Sequence, residues 1–186
     1  MPDSLVKVAA LFVSGRSIYK HLEGVDAYDQ RRNALSFAGG CPVVAHPPCR
    51  TWSHYLRAQA RPKDLVGEQG LGRWAVGLVR ENGGVLEQPA RSHLWEACQL
   101  PGPGERVDAH GGWTCYVEQG WWSYASRKPT WLYIVGVPRS QVQVPLRLDR
   151  PAKQTQSRQE RSRTMPEFAR WLVAIARNAK VPGATP

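Results

Sequence analysis

Several features that would place this chain in a special class of protein are missing. None of its four cysteines forms a C-x-x-C pair, which argues against a disulfide framework. No secretory signal is recognisable, so we expect a reduced, cytoplasmic compartment. No apolar run has the length needed to cross a membrane. Acidic residues are few, 15 against 25 Lys and Arg, and the resulting net charge of +10 favours a polyanionic partner, most simply nucleic acid.

The residues that are present indicate a folded protein. With 186 residues, 42% of them hydrophobic and eight of them tryptophan, the chain is long enough to bury one full core. Residues 1–140 predict a single domain. Residues 141–163 are polar and basic, which is typical of a linker or arm. In residues 164–186, Thr164 and Glu167 predict a capping box for a last helix that docks back on the domain.

Short apolar runs alternate with helical patterns along the domain. Apolar spacing over residues 71–82 predicts a helix with one buried face, and a second helix is expected over residues 30–37. The polar stretch 50–69 predicts a loop. Alternation of this kind is typical of an α/β fold with a mainly parallel sheet and helices on both faces. Strands are predicted at residues 6–13, 25–28, 43–45, 85–87, 114–117 and 130–135.

Residues 42–53, PVVAHPPCRTWS, contain the main candidate for chemistry. A short apolar strand ends at two prolines, so Cys49 lies on a stiff turn where open α/β sheets build their sites. The following Arg50 could favour a thiolate. Cys49 is therefore a candidate nucleophile, although a small buried hydrophobic role is the common alternative for cysteine.

Two later segments add candidate partners for Cys49. Glu87 ends a strand and could reach the same edge of the sheet, or it could cap the next helix. Arg127 and Lys128 precede the last strand and could hold a phosphate or orient a base. Nearby aromatics such as Trp122 could stack on bases or fill the core.

Metal binding is the other chemistry that these residue types allow. His46, Cys49 and His54 lie close together in the sequence, but their spacing matches no zinc pattern. We therefore predict no metal ligands.

The order of these segments resembles the catalytic domain of cytosine-5 DNA methyltransferases, a Rossmann-like fold. That family carries its nucleophile in a Pro-Pro-Cys-Gln-x-Phe-Ser segment, and PPCRTWS keeps the spacing up to Ser53. The family's Glu-Asn-Val segment is similar to the sequence that begins at Glu87. A later family arginine is similar to the region of Arg127 and Lys128, of which Arg127 is the preferred match.

The resemblance implies a transferase that modifies C5 of a pyrimidine in DNA with S-adenosylmethionine. Cys49 would add to C6, Glu87 would hold N3, and Arg127 would assist at O2. The implied contacts to the substrate or nucleic acid are Arg50, Ser53, Trp122 and Lys128. The implied contacts to the cofactor are Phe12, Ser14, Gly15, Asp26 and Pro47.

The chain also departs from that family. Residues 11–17 keep only the phenylalanine and one glycine of the family's Asp-x-Phe-x-Gly-x-Gly loop, a third strand is missing, and so is the large target-recognition region. The segments AHPPCRTWS, GGVLEQP and RKPTWL are similar to small proteins of bacteriophages and prophages. Two alternatives follow: an enzyme of DNA or nucleotide hypermodification with another donor, or an inactive DNA-binding or anti-restriction protein.

Overall fold

The computed structural model describes residues 5–53, 62–122, 126–145 and 163–180, with the backbone only for residues 62–66. Within these residues six strands form one sheet and three α-helices pack around it. The strands are β1 (Val8–Leu11), β2 (Val25–Tyr28), β3 (Val43–Ala45), β4 (Gly84–Pro89), β5 (Trp113–Glu118) and β6 (Pro129–Val135). The helices are α1 (Pro62–Asn82), α2 (Leu94–Ala97) and α3 (Pro166–Arg177).

The sheet has the order β2-β1-β3-β4-β6-β5. The pairs of β1 with β2, β1 with β3 and β3 with β4 are parallel, whereas β6 pairs antiparallel with both β4 and β5. The chain moves outward from β1 to β2 and then returns to the other side of β1. This reversal makes a topological switch point between β1 and β3, and open α/β sheets bind ligands at the carboxyl ends of strands at such a point.

Alternation of side chains along the central strands separates two cores. In β1, Val8 and Ala10 pack on the face covered by α3, while Ala9 and Leu11 pack on the face covered by α1. Helices thus cover both faces, as expected for an α/β fold. In α3, Phe168 and Leu172 are fully buried, and each such side chain contributes about 1.5–3 kcal/mol by leaving water.

Three details of the sequence-based prediction are wrong. Residues 30–37 form no α-helix but only the 3-10 turn Ala34–Ser36, which the Asn33 side chain caps at the Leu35 amide. Helix α1 begins at Pro62, inside the predicted loop, because the helix continues for two turns before its apolar face starts. The first turn of α3 has no capping box: Met165 is the N-cap residue and makes no side-chain capping bond.

Part of the predicted basic arm lies outside the described residues, namely residues 146–162. Among the helices of the described residues, none is both long and apolar enough to cross a membrane.

Candidate active site

The register of the parallel strands places His46 beside Glu87. Ala45 of β3 pairs with Leu86 of β4, so the next residue on each strand stands at the same level of the sheet. Val44 and Val85 face the α3 side, and alternation puts His46 and Glu87 on that side as well. The side chains are largely buried, with 11% of His46 and 14% of Glu87 exposed.

A chain of hydrogen bonds runs through this pair. His46 Nδ1 lies 3.0 Å from Glu87 Oε2, and the Tyr19 hydroxyl lies 2.9 Å from His46 Nε2. On the other side, Gln119 Nε2 donates to Glu87 Oε1 at 2.9 Å and to Thr130 Oγ1 at 3.1 Å. Both oxygens of the carboxylate are therefore hydrogen-bonded within the protein.

These contacts determine the charge state of Glu87. Burial raises the pKa of the Glu87 carboxyl, but the hydrogen bond from His46, the charge of Lys128 and the bond from Gln119 outweigh it. The pKa of Glu87 is consequently below its ordinary value, and the group is a carboxylate at neutral pH.

Cys49 lies on a loop that is anchored to β4. The two prolines before it lack backbone N–H groups, and the Gln88 side chain donates to the carbonyl of Pro47 at 2.7 Å. After the cysteine the chain turns back, because the amides of Trp52 and Ser53 both donate to the Cys49 carbonyl, at 3.2 and 2.7 Å. This loop fixes the half-buried thiol at the carboxyl end of β3.

The thiol of Cys49 is protonated in this environment. Burial is the main cause that raises its pKa, and the negative charges of Glu87 and Glu68 add to the effect. The ammonium of Lys128 opposes these influences and lowers the pKa. Cys49 therefore needs an acceptor for its proton before it can act as a nucleophile.

Lys128, and not Arg127, is the cation that acts on these two groups. Burial lowers the pKa of Lys128, while the charges of Glu87 and Cys49 raise it, so the three groups are electrostatically coupled. Arg127 is exposed and binds Glu118 instead, with its Nε and Nη2 atoms 3.0 and 2.7 Å from the two carboxylate oxygens. The structure thus pairs Arg127, the preferred match, with Glu118, and its expected role at the base stays a prediction.

The backbone explains which of the two basic residues points inward. Lys128 has a φ of +40°, a left-handed conformation that is costly for a residue with a side chain. Its carbonyl accepts bonds from the Gln119 amide at 3.3 Å and from Thr130 Oγ1 at 3.0 Å. The strained residue is thus held by Thr130 and by Gln119, and the Gln119 side chain also contacts Glu87.

Of the residues expected to contact substrate, Trp122 is placed differently from the prediction. Its ring is 6% exposed and packs against Phe168 and Trp171 at centroid distances of 5.0 and 4.6 Å, so it belongs to the core and is unavailable for stacking on a base. Arg50 is half-buried beside Cys49. Ser53 is buried, and its amide closes the turn after Cys49.

The residues expected to contact a cofactor divide into two groups. Phe12 follows β1 in a left-handed conformation, with a φ of +60°, and leads to the exposed turn of Ser14 and Gly15 at the carboxyl edge. Asp26 lies elsewhere, within β2, where Arg32 binds it through both of its terminal nitrogens and Lys7 lies 3.5 Å away. Asp26 does not reach this edge of the sheet.

Asp29 occupies the position that was expected for Asp26. It comes directly after β2, and its Oδ2 atom would lie 3.8 Å from a Cβ built on Gly15. Asp29 accepts the amides of Arg31 and Arg32, both at 2.9 Å, and pairs with Lys20. An acid after the second strand, beside the turn after the first, is the arrangement that dinucleotide-binding α/β folds use to contact a ribose.

Sequence reasoning therefore missed Tyr19, Gln119 and Asp29, and it treated His46 only as a metal ligand. For Asp29 the usable signal was its place immediately after a strand. The described residues bring together no group of three His, Cys, Asp or Glu side chains that could hold a metal ion.

A cavity of about 600 Å³ lies at the opposite edge of the sheet. It is lined by Trp113 at the start of β5 and Val135 at the end of β6, together with Arg139 and Lys180. Because β6 runs against its neighbours, both strand ends belong to the amino edge of the parallel strands. This cavity is separate from the cluster around Cys49.

Comparison with known proteins adds no assignment to this geometry: no protein-family model, no curated protein and no solved structure matches the chain.

Proposed function

We propose that the chain is a pyrimidine C5-modifying transferase that acts on DNA, most simply a cytosine-5 methyltransferase that works through a covalent adduct at Cys49. The observation that carries the proposal is the coupling of a thiol, a carboxylate and an ammonium, from Cys49, Glu87 and Lys128, at the carboxyl edge of the sheet beside the switch point. Perturbed ionisable groups that cluster at such an edge are typical of catalytic sites.

Each of the three groups has a role in adding a thiol to a pyrimidine. Cys49 forms a bond to C6, and the electrons of the C5=C6 bond move toward N3, which turns C5 into a carbon nucleophile. Glu87 delivers a proton to N3. Lys128 takes the role that was expected for Arg127, as a positive charge near the ring oxygen O2.

Unpartnered acceptors near the thiol agree with an amino-bearing ring. Five buried side-chain nitrogen and oxygen atoms of the described residues have no hydrogen-bond partner, and two of them are the acceptors Gln119 Oε1 and Glu68 Oε2. Gln119 bonds Glu87, and Glu68 acts electrostatically on Cys49. Cytosine presents an exocyclic amino group that could satisfy such an acceptor, whereas thymine presents a carbonyl there.

S-adenosylmethionine is the proposed donor, and its contribution is an electrophilic methyl group. The residues that would hold it are Phe12, the turn of Ser14 and Gly15, and Asp29. A base in a duplex must leave the stack before Cys49 can reach C6, which costs roughly a few kcal/mol. The net charge of +10 favours binding of the DNA backbone.

Covalent trapping tests the proposal. Incubation with S-adenosylmethionine and an oligonucleotide that contains 5-fluorocytosine should give a stable protein–DNA adduct, because the fluorine prevents release of the enzyme. Cys49→Ser should abolish the adduct, while Cys115→Ser, a matched change of another half-buried cysteine, should not. Mass spectrometry of nucleosides from treated DNA identifies the group that is added.

Absence of any adduct with the wild-type protein, together with salt-sensitive binding to DNA, would favour the inactive DNA-binding alternative instead. Trapping of a free 5-fluoropyrimidine nucleotide but not of the oligonucleotide would favour a nucleotide-modifying enzyme.

A further inference from the structure

In the hydrogen-bond chain from Tyr19 through His46 to Glu87, each residue donates to the next. Tyr19 is fully buried, and this burial together with the charge of Glu87 raises the pKa of its phenol well above the ordinary value, so the hydroxyl keeps its proton. The Tyr19 O–H then donates to His46 Nε2, so the ring proton of His46 lies on Nδ1, which donates to Glu87 Oε2. The tautomer of His46 follows from its two partners.

Several elements contribute groups around Glu87. His46 follows β3, Tyr19 belongs to the 3-10 turn Ile18–His21, and Gln119 follows β5. Lys128, before β6, and the thiol of Cys49 complete the charged and titratable groups near the carboxylate, and Glu68 of α1 acts on Cys49. In the hydrogen bonds with His46 and Gln119, the Glu87 oxygens act as acceptors, and accepting hydrogen bonds favours the charged form of a carboxyl group.

Building on the proposed function, we propose that Tyr19 and His46 are positioning residues that keep Glu87 as a carboxylate in the resting site, so that it can accept the proton of the Cys49 thiol. The same proton then reaches N3 of the ring. Glu87 is in this way both the base for the nucleophile and the acid for the substrate.

The protons and bonds balance in this scheme. The S–H bond of Cys49 breaks and its proton moves to Glu87, while the sulfur forms a bond to C6. The C5=C6 pair becomes a C4=C5 bond, and the C4=N3 pair moves to N3, which takes the proton from Glu87. The carboxylate is restored, and no proton is drawn from solvent.

Titration of Glu87 in the substrate-free protein tests the positioning role directly. Carbon-13 NMR of protein labelled at the glutamate carboxyl carbon, assigned with Glu87→Gln, follows this group alone. Loss of the His46 donor in His46→Leu should raise the pKa of Glu87 by about 1 to 2, since a hydrogen bond to a charged group is worth roughly that much. His46→Gln keeps a donor and an acceptor and should restore most of the wild-type value.

The rate of trapping should follow the same change. In His46→Leu the rate should fall by up to about twofold for a pKa rise of 1 and up to about tenfold for a rise of 2 between pH 8 and pH 5.5, whereas the wild-type rate stays nearly constant, because Glu87 must be charged to accept the thiol proton. Tyr19→Phe should give a smaller change in the same direction. His110→Leu, at an exposed histidine that lines the cavity at the opposite edge of the sheet, is the control.

An unchanged Glu87 titration in folded His46→Leu overturns the role of His46. If that variant does not fold, Tyr19→Phe becomes the test, and an unchanged Glu87 titration in this variant overturns the proposed chain from Tyr19 through His46 to Glu87. Failure of the wild-type protein to form any adduct, with the Glu87 titration changed as expected, overturns the proposed function and leaves the electrostatic arrangement standing. The two failures are therefore distinguishable.

Discussion

Replacement of Lys128 by methionine should make Cys49 much less reactive. Lys128 is the positive charge that lowers the pKa of the Cys49 thiol, against burial and the charges of Glu87 and Glu68. Methionine has a similar length and no charge. Without the ammonium, the charged side chains that act on Cys49 are Glu87 and Glu68, and both disfavour the thiolate.

The size of the effect follows from the position of the charge. An opposite charge close to an ionisable group changes its pKa by about 1–3, and the lower part of that range applies here because Lys128 and Cys49 are both only half-buried. A rise of about 1 to 2 in the pKa of Cys49 reduces the thiolate fraction about 10- to 100-fold at any pH below that pKa. Glu87 stays charged at pH 8 in this variant, because its pKa begins below the ordinary value.

Alkylation by iodoacetamide at pH 8, followed by peptide mass spectrometry, measures this reactivity at Cys49 alone. Arg127→Gln is the matched control, since Arg127 is the neighbouring cation and pairs with Glu118. We expect alkylation of Cys49 to slow 10- to 100-fold in Lys128→Met and less than twofold in Arg127→Gln. Equal slowing in both variants, or none in Lys128→Met, would refute the assignment of Lys128 to the site.

Two further predictions concern the frame around the site. Gly84→Ala should prevent folding, because the φ of Gly84 is +117° and a Cβ there would lie 2.0 Å from the Val43 carbonyl oxygen. Gly40→Ala is the control: Gly40 has a φ of +87° but open space around it, so this variant should lose only about 1–2 kcal/mol of stability, measured by thermal unfolding. Comparable stability of the two variants would contradict the steric argument. The pKa of Asp29 is lowered to about 2, chiefly by its hydrogen bond from Lys20 and by the hydrogen bonds that it accepts from backbone amides. The stability that the charged Asp29 contributes is therefore complete above about pH 4 and is lost as the pH falls toward 2. Urea unfolding between pH 5 and pH 2 should therefore depend less on pH in Asp29→Asn than in the wild-type protein, and identical slopes would show that Asp29 is not stabilised in the fold.

Strands β2 and β3 could be predicted because local sequence marks their ends. The run at β3 is apolar and stops before His46 and two prolines, and the run at β2 lies between Gly24 and Asp29; the predicted bounds of both strands agree with the structure. Helix α1 was predicted only from its apolar face onward, since the sequence of its first turns has no apolar periodicity. The helix expected over residues 30–37 failed because Asn33 caps a short turn instead.

The composition of the site depended on information that local sequence lacks. His46 meets Glu87 because Ala45 pairs with Leu86, and the register between two strands whose paired residues are 41 positions apart is set by the whole sheet. Which of Arg127 and Lys128 lies near Cys49 and Glu87 depends on the left-handed backbone at Lys128. Such a conformation is expected at glycine and cannot be predicted from a lysine in the sequence. Motif spacing identified Cys49 and Glu87, whereas tertiary packing selected their partners.

The distribution of strain and buried charge favours a catalytic site over a scaffold used only for binding. Four non-glycine residues of the described chain have a positive φ, and three of them, Phe12, Arg91 and Lys128, stand at the carboxyl edge that contains Cys49. Such conformations cost of order 1–3 kcal/mol each and persist where the surrounding structure enforces them. Burial of Glu87 with His46 costs further desolvation energy, which apolar residues of similar volume would avoid. A protein that bound DNA through its basic surface would need neither the strain nor the buried carboxylate, so their coincidence at one edge of the sheet supports the proposed chemistry at Cys49.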